Sequence, residues 1–226
     1  MKIHREGTNI LILLFAVLAV LNVPVWLFMP PYAIPAIFSG ISAVFYIFVF
    51  NFFRCPKRHY RGPRRSRVVS SVDGKVVAIE RVFEPEYLKS DASQLSVFMS
   101  PLNVHATWIP VDGIVQYVRH HRGRFLSAYL PKSSTENERS TIGIVCTNGQ
   151  RITVRQVAGA MARRIVTYAR PGEEATIDGH LGFIKFGSRV DIYLPVDARI
   201  LVSLGDTTRG GLTPVADLRD FDSKAD

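Results

Sequence analysis

Residues 9–53 read NILILLFAVLAVLNVPVWLFMPPYAIPAIFSGISAVFYIFVFNFF and hold most of the apolar excess of the 226-residue chain. The stretch divides at Met-Pro-Pro-Tyr (29–32), because consecutive prolines end a helix. About 20 residues lie on either side, which is the length that a helix needs to cross the hydrocarbon core of a bilayer. The sequence therefore predicts a two-helix transmembrane hairpin over residues 1–53, with spans at about 9–29 and 33–53.

Basic residues flank the hairpin on both sides. Lys2 and Arg5 precede the first span, and a run of seven cations without any acidic residue follows the second. Because cytoplasmic flanks of membrane helices are enriched in Lys and Arg, we expect a cell-membrane protein whose domain after the hairpin is cytoplasmic. A cleaved signal peptide is the alternative for the first span, but it leaves the second unexplained. The seven cations are Arg54, Lys57, Arg58, Arg61, Arg64, Arg65 and Arg67.

Residues 54–67 contribute most of the net charge of +9 and are predicted to be a basic juxtamembrane linker. Anionic lipid headgroups are the expected partner of this run, and nucleic acid is not expected. Residues 68–226 are enough for one domain with its own core and too few for two. Two cysteines, Cys55 and Cys146, cannot make a disulfide framework and fit a reducing compartment.

Short apolar runs separated by turn signals predict that residues 68–226 form a mostly β, or β-rich α+β, soluble domain. The clearest signal is Asn148-Gly149 between two such runs, since Asn-Gly is preferred in tight hairpin turns. A second pair of runs flanks Gly187-Ser188. The predicted strands cover residues 67–71, 75–83, 97–100, 113–119, 142–146, 151–154, 181–186, 190–194 and 199–204.

Three segments of this domain lack a strand signal. Val157–Tyr168, with the sequence VAGAMARRIVTY, is the helical candidate. Residues 133–140 are polar and are predicted to be a loop. The tail after Thr207 is predicted to be frayed.

Four short constellations carry residues that can do chemistry, and each also has an ordinary structural explanation. Asp73-Gly74 and Gly187-Ser188 are typical of turns between strands, and His105 after a strand is often structural. The remaining constellation is Asn137–Arg139. Spacings typical of a metal site, a phosphate loop or a dinucleotide-binding fingerprint are absent from the sequence, so no metal is expected.

Taken together, these segments resemble the short, membrane-bound form of the phosphatidylserine decarboxylase family. The resemblance covers most of the chain, from the hairpin through Leu194. The motifs that carry it are VDG at 72–74, FMSPLNVH at 98–105 followed by Pro110 and Gly113, QVAG at 156–159, ARRI at 162–165 and GFIKFGSRVD at 182–191.

The resemblance implies a pro-enzyme that cuts itself between Gly187 and Ser188, giving a β chain of residues 1–187 and an α chain of residues 188–226. The Ser188 hydroxyl would attack the Gly187 carbonyl, and Ser188 would become a pyruvoyl group, the cofactor. His105 is implied as the base that takes the serine proton, and Asp73 as the acid that orients and charge-balances His105. The pyruvoyl group would form a Schiff base with phosphatidylserine and accept the electrons left when CO₂ departs, yielding phosphatidylethanolamine.

The chain departs from the longer bacterial forms of the family in two places. Those forms have Leu-Gly-Ser-Thr at the cut, where this chain has FGSR at 186–189, and a second histidine where this chain has Trp108. Either His105 serves both self-cleavage and decarboxylation, or another residue supplies one role. Arg139, Arg163 and Arg164 are candidates for binding the lipid phosphate or carboxylate, with a solvated surface as the alternative for the last two.

The expected partners are phosphatidylserine in the membrane and the chain's own two halves as a heterodimer, with a higher oligomer left open. One alternative function is decarboxylation of a related seryl ether lipid of the archaetidylserine type. The other is a non-catalytic, membrane-tethered β module, which would stay uncleaved. Such a module has no need for Asp73, His105 and Gly187-Ser188 together.

Overall fold

The computed structural model describes residues 2–129, 133–159, 165–185 and 188–219. The chain forms two compact units, and the boundary between them falls between Lys57 and Arg58. We call them the hairpin unit and the globular unit.

The hairpin unit consists of strand β1 (Lys2–Ile3), helix α1 (Arg5–Phe28), helix α2 (Ala33–Phe52) and strand β2 (Arg54–Cys55). Both helices are long and apolar enough to cross a membrane, as predicted. Most of their large apolar side chains are exposed instead of packed into a protein core, which suits contact with lipid. β1 pairs antiparallel with β2, so the two ends of the hairpin lie side by side.

Polar side chains tie the two helices together. The Ser39 hydroxyl donates to Asn22 Oδ1 (2.7 Å), and Asn22 Nδ2 donates to the Ser42 hydroxyl (3.1 Å). The indole nitrogen of Trp26 donates to the Ser39 hydroxyl (2.9 Å). Hydrogen bonds between membrane helices stabilise the pair, because lipid offers these groups no other partner.

Strands predominate in the described part of the globular unit, as the sequence predicts. The elements in chain order are β3 (Arg67–Val69), β4 (Gly74–Glu84), β5 (Ser90–Met99), β6 (Ala106–Trp108), β7 (Gly113–His121), α3 (Ser133–Glu136), β8 (Arg139–Cys146), β9 (Arg151–Val157), β10 (Ile165–Thr167), β11 (Glu174–Ala175), β12 (His180–Ile184), β13 (Ser188–Pro195), β14 (Arg199–Ile200), β15 (Thr207–Thr208) and β16 (Pro214–Asp217).

One large sheet and two small sheets enclose the core. Within the described residues the large sheet has eight strands in the order β11-β7-β8-β9-β13-β5-β4-β15, and the small sheets have the orders β10-β12-β6 and β14-β16-β3. Buried side chains from all three sheets form a single apolar cluster, which includes Val97, Val154, Leu181 and Val215. The core therefore lies between one face of the large sheet and the two small sheets.

Strand β13 lies in the middle of the large sheet and pairs antiparallel with β5 on one side and β9 on the other. Val190 and Ile192 belong to the core cluster. Because side chains alternate along a strand, Ser188 is on the same core-facing side. Arg189 and Asp191 are on the opposite side of the sheet, where both are buried and form an ion pair (2.8 Å).

Several predicted boundaries are wrong. The predicted helix over Val157–Tyr168 is not found where the structure describes it, since Val157 ends β9 and Ile165–Thr167 forms β10, paired with β12. The β-branched side chains of Ile165–Thr167 favour a strand. The tail is not frayed as far as Arg219, because β15 pairs with β4 and β16 pairs with β3.

The polar segment at 133–140 and the run at 97–100 also differ from prediction. Residues 133–136 form the short helix α3, and β8 begins at Arg139. The run at 97–100 is only the end of β5, which starts at Ser90. Polar residues such as Gln94 and Ser96 hide this strand in the sequence, although both are buried in the folded sheet.

The basic run is not simply a lipid-facing linker. Arg58, Arg64 and Arg67 form ion pairs inside the globular unit, with Asp73, Asp178 and Asp217 respectively. The hydrogen bond that Arg64 donates to the Asp178 carboxylate raises the pKa of the Arg64 guanidinium, and that pairing outweighs the opposing effect of burial. These three cations are therefore engaged by carboxylates of the domain.

Candidate active site

Ser188 is the first residue of β13 and is completely buried. It is opposite Met99, the last residue of β5, and its hydroxyl donates to the Met99 sulfur (3.1 Å). A thioether is a weak acceptor, so this contact places the hydroxyl without holding its proton tightly. Gly187, the other predicted cleavage residue, lies outside the described residues.

His105 is completely buried and lies beside the strand that leads to the predicted cut. Its carbonyl accepts from Ile184 N–H (3.4 Å), and the next residue, Ala106, pairs with Phe183 of β12. Three residues beyond Ile184 the chain reaches the bond before Ser188. The backbone therefore places His105 at the same end of β12 and β13 as the serine.

The ring of His105 is held in one tautomer. Its Nδ1 lies 3.0 Å from the carbonyl oxygen of Asn103. Because a carbonyl oxygen only accepts, Nδ1 carries the hydrogen, and in the neutral ring the lone pair is on Nε2. This is the tautomer that a general base acting through Nε2 requires.

A tight turn after β5 presents that carbonyl. Asn103 Oδ1 accepts from both the backbone N–H (2.9 Å) and the hydroxyl (2.8 Å) of Ser100, and Asn103 N–H donates to the Ser100 carbonyl (3.0 Å). The motif SPLNVH at 100–105 thus begins one residue after the partner of Ser188 and ends at His105. The continuous segment 99–105 therefore supplies both the strand partner of Ser188 and His105 itself.

Asp73 is fixed at the start of β4. Both of its carboxylate oxygens accept hydrogen bonds from the Arg58 guanidinium, one of them at 2.8 Å, and Gly210 N–H donates to Oδ1 (2.8 Å). The sequence argument gave Asp73 the task of orienting the His105 ring, but the acceptor at Nδ1 is the Asn103 carbonyl.

The glycine of the VDG motif has a steric role. A Cβ on Gly74 would lie 2.2 Å from the carbonyl oxygen of Phe98, so only glycine allows β4 to begin this close to β5. Since Phe98 immediately precedes Met99, the close approach brings Asp73 to the end of the sheet where Ser188 begins.

Arg139, one of the substrate-binding candidates, does not join this group. Arg139 of β8 and Arg189 of β13 both pair with Val157 of β9, which lies between them. The side chain of Arg139 is therefore on the same face of the sheet as that of Arg189, opposite Ser188. There it lines a cavity of about 390 Å³ together with Arg155 and Arg189. Burial lowers the pKa of Arg139, and the neighbouring charge of Arg155 lowers it further. Arg163 and Arg164 lie outside the described residues.

Arg58 and Gly210 are neighbours of Asp73 that the sequence does not predict. Arg58 was counted with the lipid-facing cations, and its side chain is only 9% exposed. The guanidinium also lies over the ring of Trp108, with its carbon 4.3 Å from the ring centroid. No local pattern signals these contacts, because Gly210 is more than a hundred residues away along the chain from both Asp73 and Arg58.

Comparison with known proteins finds relatives over nearly the whole chain. The model of the family described as phosphatidylserine decarboxylase matches residues 45–216. The chain is 51% identical to a phosphatidylserine decarboxylase proenzyme of Bacteroides fragilis, with 96% of each chain covered. It is 48% identical to the proenzyme of Parabacteroides distasonis and 44% identical to that of Cytophaga hutchinsonii, in both cases over 96% of this chain and 99% of the relative. The chain belongs to the phosphatidylserine decarboxylase family.

Proposed function

We propose that this protein decarboxylates phosphatidylserine to phosphatidylethanolamine, after it has cut itself between Gly187 and Ser188. The relatives that match over nearly the whole chain are named as proenzymes of this activity. The observation that carries the proposal is the buried Ser188 at the start of β13, at the same end of the strand as His105. The lone pair of the neutral His105 ring is on Nε2.

Self-cleavage requires a hydroxyl that loses its proton as it attacks. In the proposed step the Ser188 oxygen bonds to the Gly187 carbonyl carbon, His105 Nε2 takes the hydroxyl proton, and that proton passes to the departing amide nitrogen. An ester then replaces the peptide bond. Loss of the proton on the Ser188 α-carbon expels the Gly187 carboxylate, and water releases ammonia from the remaining dehydroalanine to leave a pyruvoyl group.

The surroundings of Ser188 suit a group made from the chain itself. The residue is buried beside Met99 at the start of a central strand, so no exchangeable cofactor needs to enter. When formed, the pyruvoyl carbonyl supplies an electron sink for decarboxylation of the bound serine headgroup. We assign both roles, taking the hydroxyl proton in self-cleavage and returning a proton in decarboxylation, to His105, which lies at the same end of β12 and β13 as Ser188.

The hairpin unit gives the reaction its location. Two helices long enough to span a membrane associate the chain with the bilayer in which its lipid substrate resides. The Lys and Arg residues at both outer ends place the globular unit in the cytoplasm in our proposal. After self-cleavage the β chain keeps the hairpin, and the α chain is held by strand pairing.

A lipid assay tests the activity. The full chain and a Ser188→Ala variant are purified in phosphatidylserine-containing nanodiscs, and phosphatidylethanolamine is measured by mass spectrometry. We expect conversion by the wild type only. If the folded, cleaved wild type leaves phosphatidylserine unchanged, or if Ser188→Ala converts it at the same rate, the proposed function is wrong.

A further inference from the structure

We propose that Arg58 is a positioning residue for self-cleavage, which fixes Asp73 against the segment that carries His105. The inference rests on the proposed function, since it concerns the same serine, histidine and acid. It assigns a role in the site to a residue of the basic run that follows the hairpin.

Arg58 and Asp73 form a two-pronged contact. The two terminal nitrogens of the guanidinium donate to the two oxygens of the carboxylate, and Nη1 also donates to the Gly210 carbonyl (2.6 Å). The two side chains are 9% and 14% exposed. This geometry requires a planar fork of donors, which arginine has and lysine lacks.

The face of the guanidinium packs on Trp108, the last residue of β6. Trp108 is buried, and its backbone N–H donates to the Ser71 carbonyl (2.8 Å), two residues before Asp73. A cation over an indole ring is attracted to it, most strongly where water is excluded. Arg58 therefore bridges the Asp73 segment and β6.

β6 begins one residue after His105, so its position also determines that of the histidine. The backbone of β6 is held by β12 on one side, and Arg58 with Trp108 secures its far end. Without the guanidinium, the Asp73 carboxylate keeps the hydrogen bond from Gly210 N–H but loses both bonds from Arg58, and the Trp108 ring loses the cation that packs on it. We expect the Asp73 and β6 segments to separate, which would misplace His105 relative to Ser188.

Cell-free synthesis of the full chain into nanodiscs allows the appearance of the cleaved chains to be followed on denaturing gels. We expect Arg58→Ala to slow self-cleavage by about a hundredfold, the order of loss that small misplacements of reacting groups cause. Millimolar guanidinium should restore much of the rate, because it can occupy the space between Asp73 and Trp108. Sodium chloride at the same concentration should not. Arg58→Lys should be intermediate.

Arg64→Ala is the matched control. Arg64 belongs to the same basic run and forms ion pairs with Asp178 and Asp112, away from Asp73. We expect it to cleave at the wild-type rate. Cleavage of Arg58→Ala at that rate, or a slow but folded Arg58→Ala that guanidinium leaves unchanged, would overturn the inference. If Arg58→Ala does not fold, Arg58→Lys decides, and cleavage of that variant at the wild-type rate overturns the inference.

The same gels separate this inference from the proposed function. If the folded wild type never splits, or if Ser188→Ala splits at the same bond, the proposed function fails whatever Arg58 does. If the wild type splits, Ser188→Ala stays whole and Arg58→Ala matches the wild type, only the role of Arg58 is wrong.

Discussion

The Nδ1 atom of His105 lies 3.0 Å from the carbonyl oxygen of Asn103, two residues earlier in the turn after β5. The turn is held by the Asn103 side chain, which accepts two hydrogen bonds from Ser100. The tautomer and direction of the histidine ring therefore depend on a turn whose other end adjoins Met99, the partner of Ser188.

Replacing Asn103 should loosen this turn. We expect Asn103→Ala, which removes both hydrogen bonds from Ser100, to slow self-cleavage about tenfold, or about 1.4 kcal/mol. Asn103→Asp keeps an oxygen acceptor for Ser100 and should retain most of the rate. The rates are read from gel time courses of freshly synthesised chain. An Asn103→Ala variant that cleaves as fast as the wild type would show that the turn does not determine the orientation of the His105 ring.

The two chains should remain together after cleavage. β13 pairs with β5 and with β9, while β15 and β16 of the same chain pair with β4 and β3. We expect the 39-residue α chain to co-elute with the β chain in gel filtration in mild detergent and to separate only on a denaturing gel. Loss of the small chain without denaturant would contradict the strand order described above.

Gly210 should not tolerate a side chain. An added Cβ would lie 2.6 Å from Trp108 Cε3 and 2.9 Å from the backbone of Val72. We expect Gly210→Ala to cost about 1–3 kcal/mol of unfolding free energy, the usual cost of overpacking, and to lower the melting temperature by several degrees. Gly40→Ala, where nothing lies within 4 Å, is the control and should be neutral. Equal melting temperatures for the two variants would refute this packing argument.

Glu86 should make the stability depend on pH in the acid range. Burial raises the pKa of this carboxyl, but hydrogen bonds from His121 (2.5 Å), Thr141 (2.9 Å) and Tyr117 (2.9 Å) outweigh burial, so the pKa lies below its ordinary value. The folded protein then binds its proton less readily than the unfolded chain. The stabilisation is complete above the unfolded pKa of about 4.3 and is lost as pH falls through the folded pKa.

Melting curves of the wild type and Glu86→Gln test this at two pH values. At pH 7 we expect the wild type to be more stable, by about 2 kcal/mol for hydrogen bonds to a charged group. Below pH 4 the difference should shrink. A difference that is the same at both pH values would mean that the charge of Glu86 does not contribute.

Much of the fold could be predicted because it follows from local patterns. The spans of α1 and α2 follow from unbroken apolar sequence, and the hairpin of β8 and β9 turns at Asn148-Gly149 as expected. The first part of β5 could not be predicted, since residues 90–94 read SDASQ and contain no large apolar side chain.

The candidate site also has a part that the sequence predicts and a part that it does not. Ser188 and His105 lie at the same end of β12 and β13, because the segments that carry them pair through β5, β6 and β12. The partners of Asp73 could not be predicted, because Arg58 comes from the basic run and Gly210 from the turn between β15 and β16. Ion pairs between distant segments leave no periodic trace in a sequence.

Mass spectrometry of the small chain, isolated from the purified protein, tests the central claim most directly. The account predicts a chain that begins at position 188, resists N-terminal sequencing and is lighter by one ammonia than the peptide 188–226 with an unmodified serine. An intact, folded chain would contradict it, as would a small chain with a free Ser188 amine or one that begins at another residue.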